Sequence, residues 1–252
     1  MNKIQQIYYA LLKEFGPQGW WPIINEKTLI CEYHVNAPRS EKEALEICFG
    51  AILTQNTSWK NAQKALINLN RSGLIDVGRI LKIDGKKLAQ IIKPSGYHNQ
   101  KAKKLKNFCG FLSENYNGKL GLLFRNKMDK LRKELLSING VGPETSDSIM
   151  LYSAKKPIFV IDAYAKRIMG RVGYEERTYG ELQKLFMGSL PNNERLFNEH
   201  HALLVELGKN ACRKKPLCEI CPIKKFCNYH KNVLDNNNRG SDSLPNPDGC
   251  SS

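Results

Sequence analysis

Cys212, Cys218, Cys221 and Cys227 follow the spacing C-x5-C-x2-C-x5-C within "ACRKKPLCEICPIKKFCNYH". Thiols clustered this closely in a chain with no sign of secretion are expected to be metal ligands rather than disulfide partners. Zinc sites usually present two C-x-x-C pairs, or one pair and two histidines, and only one pair stands here. A single compact loop of four thiolates suits a cuboid of iron and sulfide better, so the spacing points to a [4Fe-4S] cluster, with zinc the weaker alternative. The same loop is basic, carrying Arg213, Lys214, Lys215, Lys224 and Lys225. Cys31, Cys48, Cys109 and Cys250 fall outside the pattern, and the first three are expected to be buried or partly buried.

Two carboxylates stand upstream. Asp162 in "FVIDAYAKRI" follows a short apolar run at the expected start of a helix, where it can serve as an N-cap, as a carboxylate held at the mouth of a cleft, or as both. Glu144 lies in "INGVGPETS", where Gly140 and Gly142 allow a tight turn and Pro143 suits the first position of the next helix. Such a turn leaves the amides around Val141 bare, a seat for one phosphate, although the same pattern also makes ordinary helix corners. Trp20 and Trp21 in "GWWP", and Trp59 after "TQNT", are either core or the walls of a pocket.

The elements that must carry these groups are helical. "SEKEALEICFGAILT" opens with a capping box, Ser40 to Glu43, and its apolar residues recur at helical spacing. A second helix runs from about Thr57 with Ala62, Ala65, Leu66 and Leu69 on one side, and a third begins near Asp84. "NQKAKKLKNFCGFL" makes a fourth, with Ala102, Leu105, Cys109 and Leu112 inward and Lys101, Lys103, Lys104 and Lys106 on an outer face. No alternating strand pattern is visible, so an all-α fold is expected. With 39 Lys and Arg against 24 Asp and Glu, the 252-residue chain carries a formal charge of +15, which suits a polyanion, nucleic acid first. No apolar run reaches the ~18 residues of a membrane span, and "MNKIQQIYYALLKEF" is too polar for a signal peptide, so a cytoplasmic, nucleoid-associated protein is expected. The stretch after Cys227, rich in Asn, Ser, Gly, Pro and Asp, is expected to be disordered over 229–252.

From the first helix to about Cys227 the order of these pieces resembles the endonuclease III superfamily of DNA glycosylases. The resemblance rests on "INGVGPETSDSIM", "VIDAYAKRIM", "ILTQNT", "PSGYHNQKAKKL" and the terminal cysteines, whose first interval is one residue shorter than the family's commoner spacing. It implies two helical lobes with DNA in the groove between them. Residues 40–155 would form a six-helix barrel with a helix-hairpin-helix motif, 1–39 and 156–228 the lobe that holds the cluster. By the same resemblance Asp162 and Glu144 are the catalytic candidates, Gln55 enters the vacated base stack, and Tyr97 wedges from the other strand beside His98 and Asn99. Lys101, Lys104, Lys209, Gly140, Val141 and Gly142 would meet the backbone of double-stranded DNA carrying a damaged base, bound by a monomer.

Glu144 departs from the family pattern. Bifunctional members have a lysine there that attacks the sugar as a Schiff base, and a carboxylate cannot form that imine. A monofunctional glycosylase follows, and "GWWP", "TQNTSW" and "GVGPETSDSIMLY" look most like the branch that removes alkylated purines such as 3-methyladenine. Alkylation makes the purine cationic and a ready leaving group, so a pocket of electron-rich aromatic faces is needed more than a strong acid. Trp21 and Trp59 are then expected to flank the flipped base, with Trp20 beside them. A mismatch or oxidised-base glycosylase, an inactive damage-binding protein and an electron-transfer module are the rival readings.

Overall fold

The computed structural model describes residues 1–34, 36–175 and 178–233. Helices dominate: α1 (Lys3–Phe15), α2 (Glu41–Leu53), α3 (Trp59–Arg71), α4 (Val77–Lys82), α5 (Gly85–Ile91), α6 (His98–Tyr116), α7 (Leu120–Phe124), α8 (Met128–Ser137), α9 (Pro143–Ser148), α10 (Ala163–Val172), α11 (Tyr179–Ser189) and α12 (Glu194–Asn210). Two strands too short for any alternation pattern, β1 (Ile23–Ile24) and β2 (Cys31–Glu32), form an antiparallel ladder. No helix among the described residues is long and apolar enough to cross a membrane.

Helix α2 explains the layout. Every residue from Ala44 to Leu53 is buried, so beyond its first turn this helix has no solvent face and the others must wrap it. Helices α3, α6, α7 and α9 pack on it, with α4 and α5 laid against α6. A second group gathers α1, α10 and α11 around or beside α12, which also meets the π-helical turn Ile149–Ser153 that prolongs α9. Ser40 caps α2 by accepting from the Glu43 amide, but the expected box is only half made: the Glu43 carboxylate turns to the Arg39 backbone and guanidinium instead. The predicted inward faces of α3 and α6 are buried.

A buried carboxylate holds the hairpin helix in register with the segment leading to Asp162. Asp147 on α9 takes two bonds from the Arg132 guanidinium, at 2.7 and 3.0 Å, and 2.7 Å bonds from the Tyr179 hydroxyl and the Gln183 amide. The same Gln183 nitrogen donates to the Phe159 carbonyl, three residues before Asp162. With its oxygens met by three donor side chains, the buried charge is compensated, and the hairpin is tied to the run that leads to Asp162. Residues 229–233, expected to open a disordered tail, are instead helical, and the Tyr229 ring lies 5.2 Å from the Arg171 guanidinium. Residues 234–252, where the rest of that expectation falls, lie outside the described residues.

Candidate functional site

The turn after α8 is built around one glycine. Gly140 has φ +99°, and a Cβ there would meet Lys104 Cγ at 2.3 Å, so both backbone and packing exclude a side chain. Gly142 is ordinary extended backbone at φ −94° and serves as the N-cap of α9, so the sequence argument for two special glycines applies to one of them. Val141 is buried and pins the turn, while Gly142, Pro143 and Glu144 are exposed. Gln55, Asn56, Lys104 and the turn from Gly140 to Thr145 line one open groove. Gln55 is docked there: its amide donates to the Gly140 carbonyl and Thr145 hydroxyl, and its oxygen accepts from Lys104 at 2.5 Å.

Tyr97 is 66 % exposed. Its left-handed backbone, φ 44°, follows Gly96 at φ +67° and throws the ring off the start of α6, with His98 half-buried and Asn99 exposed beside it. Lys101 is a correction. It is 2 % exposed, and its ammonium donates to the carbonyls of Leu53 at 2.8 Å and Ser95 at 2.7 Å, so it cannot reach a phosphate. It instead ties the end of α2, which carries Gln55, to the loop that carries Tyr97. Burial, with Lys104 nearby, pulls its pKa down to about 8. Lys106 also turns inward, onto the carbonyls of Leu81 and Ile83.

Asp162 is indeed an N-cap: its Oδ1 accepts from the Ala165 amide at 2.7 Å. Its second oxygen stays free of that duty. Glu144 sits at the rim of the groove, where the surrounding protein withdraws water from its carboxyl and Asp162 adds repulsion; together they push it up to about 7 against the pull of Lys166. The tryptophans meet each other but not as expected. Trp21 and Trp59 touch edge to face, with centroids 5.3 Å apart at 89°, leaving no slot for a base between them. Trp21 instead packs on Gly50 of α2 and on Tyr152, and Trp20 leans on Tyr152 and His201 with the Lys209 ammonium 5.3 Å over its ring. Tyr152 and His201 were not singled out from the sequence. The only signal was "EHHALLV", two histidines on an otherwise apolar helical face.

The four cysteines line one small pocket together with Arg171, Lys224 and Tyr229. Cys212 and Cys227 are buried, Cys218 and Cys221 half-buried. Arg171 reaches across from α10, donating to Cys212 Sγ at 3.2 Å and to the carbonyls of Arg213 and Lys214. Among the described residues no three Cys, His, Asp or Glu side chains close on a single metal-sized point. Arg213, Lys214, Lys215, Lys224 and Lys225 are all exposed around the cavity.

Comparison with known proteins places this architecture. The chain is 44% identical over 228 residues to the Methanocaldococcus jannaschii protein MJ1434, assigned by inference to the DNA repair glycosylases, covering 89% of this chain and 95% of that one. It is 28% identical to endonuclease III of Sulfolobus acidocaldarius over 94% of this chain and all of the relative. Among solved structures, H. pylori 3-methyladenine DNA glycosylase (MagIII) bound to 1,N6-ethenoadenine superposes with a TM-score of 0.65 at 26% identity, over 83% of this chain and 98% of that one. A non-covalent endonuclease III–DNA complex, 22% identical, shares the fold with a TM-score of 0.71 over 93% of this chain and 100% of that one. The profile of the HhH-GPD superfamily matches residues 49–192, from the middle of α2 through the hairpin to the end of α11. On the profile match and the 44% identical relative, the chain belongs to the HhH-GPD superfamily of base excision DNA repair proteins, as a DNA glycosylase.

Proposed function

We propose that this glycosylase is monofunctional and removes cationic alkylated purines such as 3-methyladenine. The observation that carries the first half is the pair of carboxylates: Asp162, fixed by its cap, and Glu144 where an imine-forming lysine would stand. Asp162 meets the sugar as positive charge develops there and orients a water onto its anomeric carbon. Gln55 and Tyr97 fill the stack after the base leaves it, with Lys104, the hairpin amides and the cluster loop on the backbone. The two groups of helices fit lobes divided near residues 40 and 155.

The cationic purine is supported by the aromatic cluster of Trp20, Trp21, Trp59 and Tyr152 and by the MagIII likeness, since that relative is named for 3-methyladenine. The face of Trp20 already holds a cation, Lys209. A charged base can take that place once Lys209 swings out to the DNA backbone. The four thiols gather around one pocket and match the donor set of a [4Fe-4S] cluster, which would supply a rigid frame for the basic loop and no step of the chemistry.

Duplexes carrying single lesions test this reading. Release of 3-methyladenine should far outpace that of thymine glycol or mismatched thymine, borohydride should trap no protein on DNA, and strands should break only after alkali. Faster release of an oxidised pyrimidine, or a trapped adduct, would move the protein to the bifunctional oxidised-base class.

Glu144 adds a pH dependence. Its folded-state pKa of about 7 lies above its ordinary 4.5, and because the residue is exposed at the groove rim the folded protein loses only a little stability as pH rises through that interval. For catalysis the sign is opposite, because an ionised Glu144 beside the sugar adds negative charge. Single-turnover excision should therefore climb through a step near pH 7, and Glu144→Gln should flatten it; a step that survives in Glu144→Gln would assign the titration to another group.

A further inference from the structure

The inner side of Asp162 faces an imidazole. His201, on α12, is 5 % exposed, and its Nδ1 lies 2.5 Å from the Tyr152 hydroxyl. Its Nε2 has no hydrogen-bond partner and lies 3.8 Å from Oδ2 of Asp162, the oxygen that the cap leaves free. Three separate elements thus put a phenol, an imidazole and a carboxylate in a row: the π-helical turn, α12 and the start of α10. The other end of the row is the aromatic cluster, because the Tyr152 ring touches both Trp20 and Trp21.

Each link fixes where the protons sit. Burial, with the charges of Asp162 and Glu199, holds the Tyr152 phenol well above its ordinary pKa, so the hydroxyl keeps its proton and donates. Nδ1 of His201 must then accept. Burial also holds the imidazole below its ordinary pKa against the pull of Asp162, so the ring is neutral and carries its one hydrogen on Nε2. Nε2 is also the ring nitrogen 3.8 Å from Oδ2 of Asp162.

We propose that His201 is a positioning residue for Asp162: the Tyr152 hydroxyl sets the imidazole tautomer, and the Nε2–H so fixed orients Oδ2 toward the sugar of the flipped nucleotide. The proposal rests on the reading of Asp162 as the carboxylate that meets that sugar. At 3.8 Å the contact is electrostatic in the free protein, and a closure of about 1 Å makes it a hydrogen bond, as happens at many active sites when substrate binds. A neutral donor holds the carboxylate from one side while the Ala165 amide holds it from the other, and neither cancels its charge. A protonated imidazole would cancel it.

The test is single-turnover excision with DNA affinity measured in parallel. His201→Leu should slow excision by about 50-fold with affinity changed less than about twofold, and His201→Gln, whose amide can donate at the same place, should recover most of the loss. Tyr152→Phe keeps the ring and removes only the hydroxyl; it should cost about fivefold alone and nothing further in His201→Leu, because the hydroxyl acts only through the imidazole. His200, next in the chain and fully buried among Tyr8, Phe159 and Phe186, is the packing control, and His200→Leu should leave the rate unchanged. Additive losses from Tyr152→Phe and His201→Leu, or an equal loss from His200→Leu, would overturn the proposal. So would a His201→Leu protein of normal rate while Asp162→Asn is inactive. Excision retained by Asp162→Asn would instead refute the underlying assignment of Asp162.

Discussion

Asp162→Asn is expected to leave folding and DNA affinity intact and to slow base excision by about 10³-fold. The first half follows from the cap: an asparagine Oδ1 accepts from the Ala165 amide as the aspartate does at 2.7 Å, and Asn and Asp are close to equal as N-caps. The second half follows from charge. A carboxylate about 4 Å from a developing sugar cation, at the effective dielectric of a partly solvated cleft, is worth about 4 kcal/mol, and the neutral amide forfeits it. At about 1.4 kcal/mol per tenfold, that is three orders of magnitude in rate. Single-turnover excision from a duplex with one lesion gives the rate, and fluorescence anisotropy on the same duplex gives the affinity. A variant that excises within tenfold of the parent protein would remove Asp162 from the chemistry, whatever its place as a cap.

The sequence carried much of this site because its signals are local. Spacing alone marks the inner faces of α3 and α6, the start of α10 at Asp162 and the cysteine loop, since each depends on residues a few positions apart. Lys101 shows how a local signal can be misread. It lies four residues before Leu105 and seven before Phe108, on the buried stripe of α6, so its period placed it inside while its charge argued for outside. Two carbonyls left open where the chain leaves α2 and where it turns before Tyr97 decide the matter, and no helical period reveals them.

Packing across the fold was beyond such reading. Tyr152 and His201 are 49 positions apart and meet only because α12 packs on the turn that prolongs α9. Composition and motif brought the tryptophans into one neighbourhood, yet whether rings stand apart or touch depends on how α3 and the β1 segment approach α2. Gly50 lets Trp21 lie against α2, and Trp59 closes on its edge.

Loss of the proposed cluster is expected to cost DNA affinity before it costs chemistry. Between Ala211 and Cys227 only Ala211, Cys212, Ile223 and Cys227 are buried, while Leu217 and Ile220 face solvent, and the two regular pieces are single 3₁₀ turns. Ordering a residue costs about 1–2 kcal/mol of backbone entropy, far more over this loop than four small buried side chains return. Arg171 holds the two ends, through Cys212, Arg213 and Lys214 at the start and through the Cys227 thiol, which donates to its carbonyl at 3.2 Å, at the finish. A group bound by all four thiols closes that deficit, because the free energy of binding it is free energy of ordering the loop. Protein purified without oxygen should therefore be brown, with about four irons per chain. Cys221→Ser should lose the colour and weaken binding to undamaged duplex by about ten- to a hundredfold as the five basic side chains lose their common frame. The salt dependence identifies the cause: the fall of log K with log salt should become shallower by about 0.9 for each phosphate that the loop no longer neutralises. A colourless protein with one zinc per chain would refute the cluster, and a Cys221→Ser protein with unchanged affinity and salt slope would show that the loop grips DNA without it.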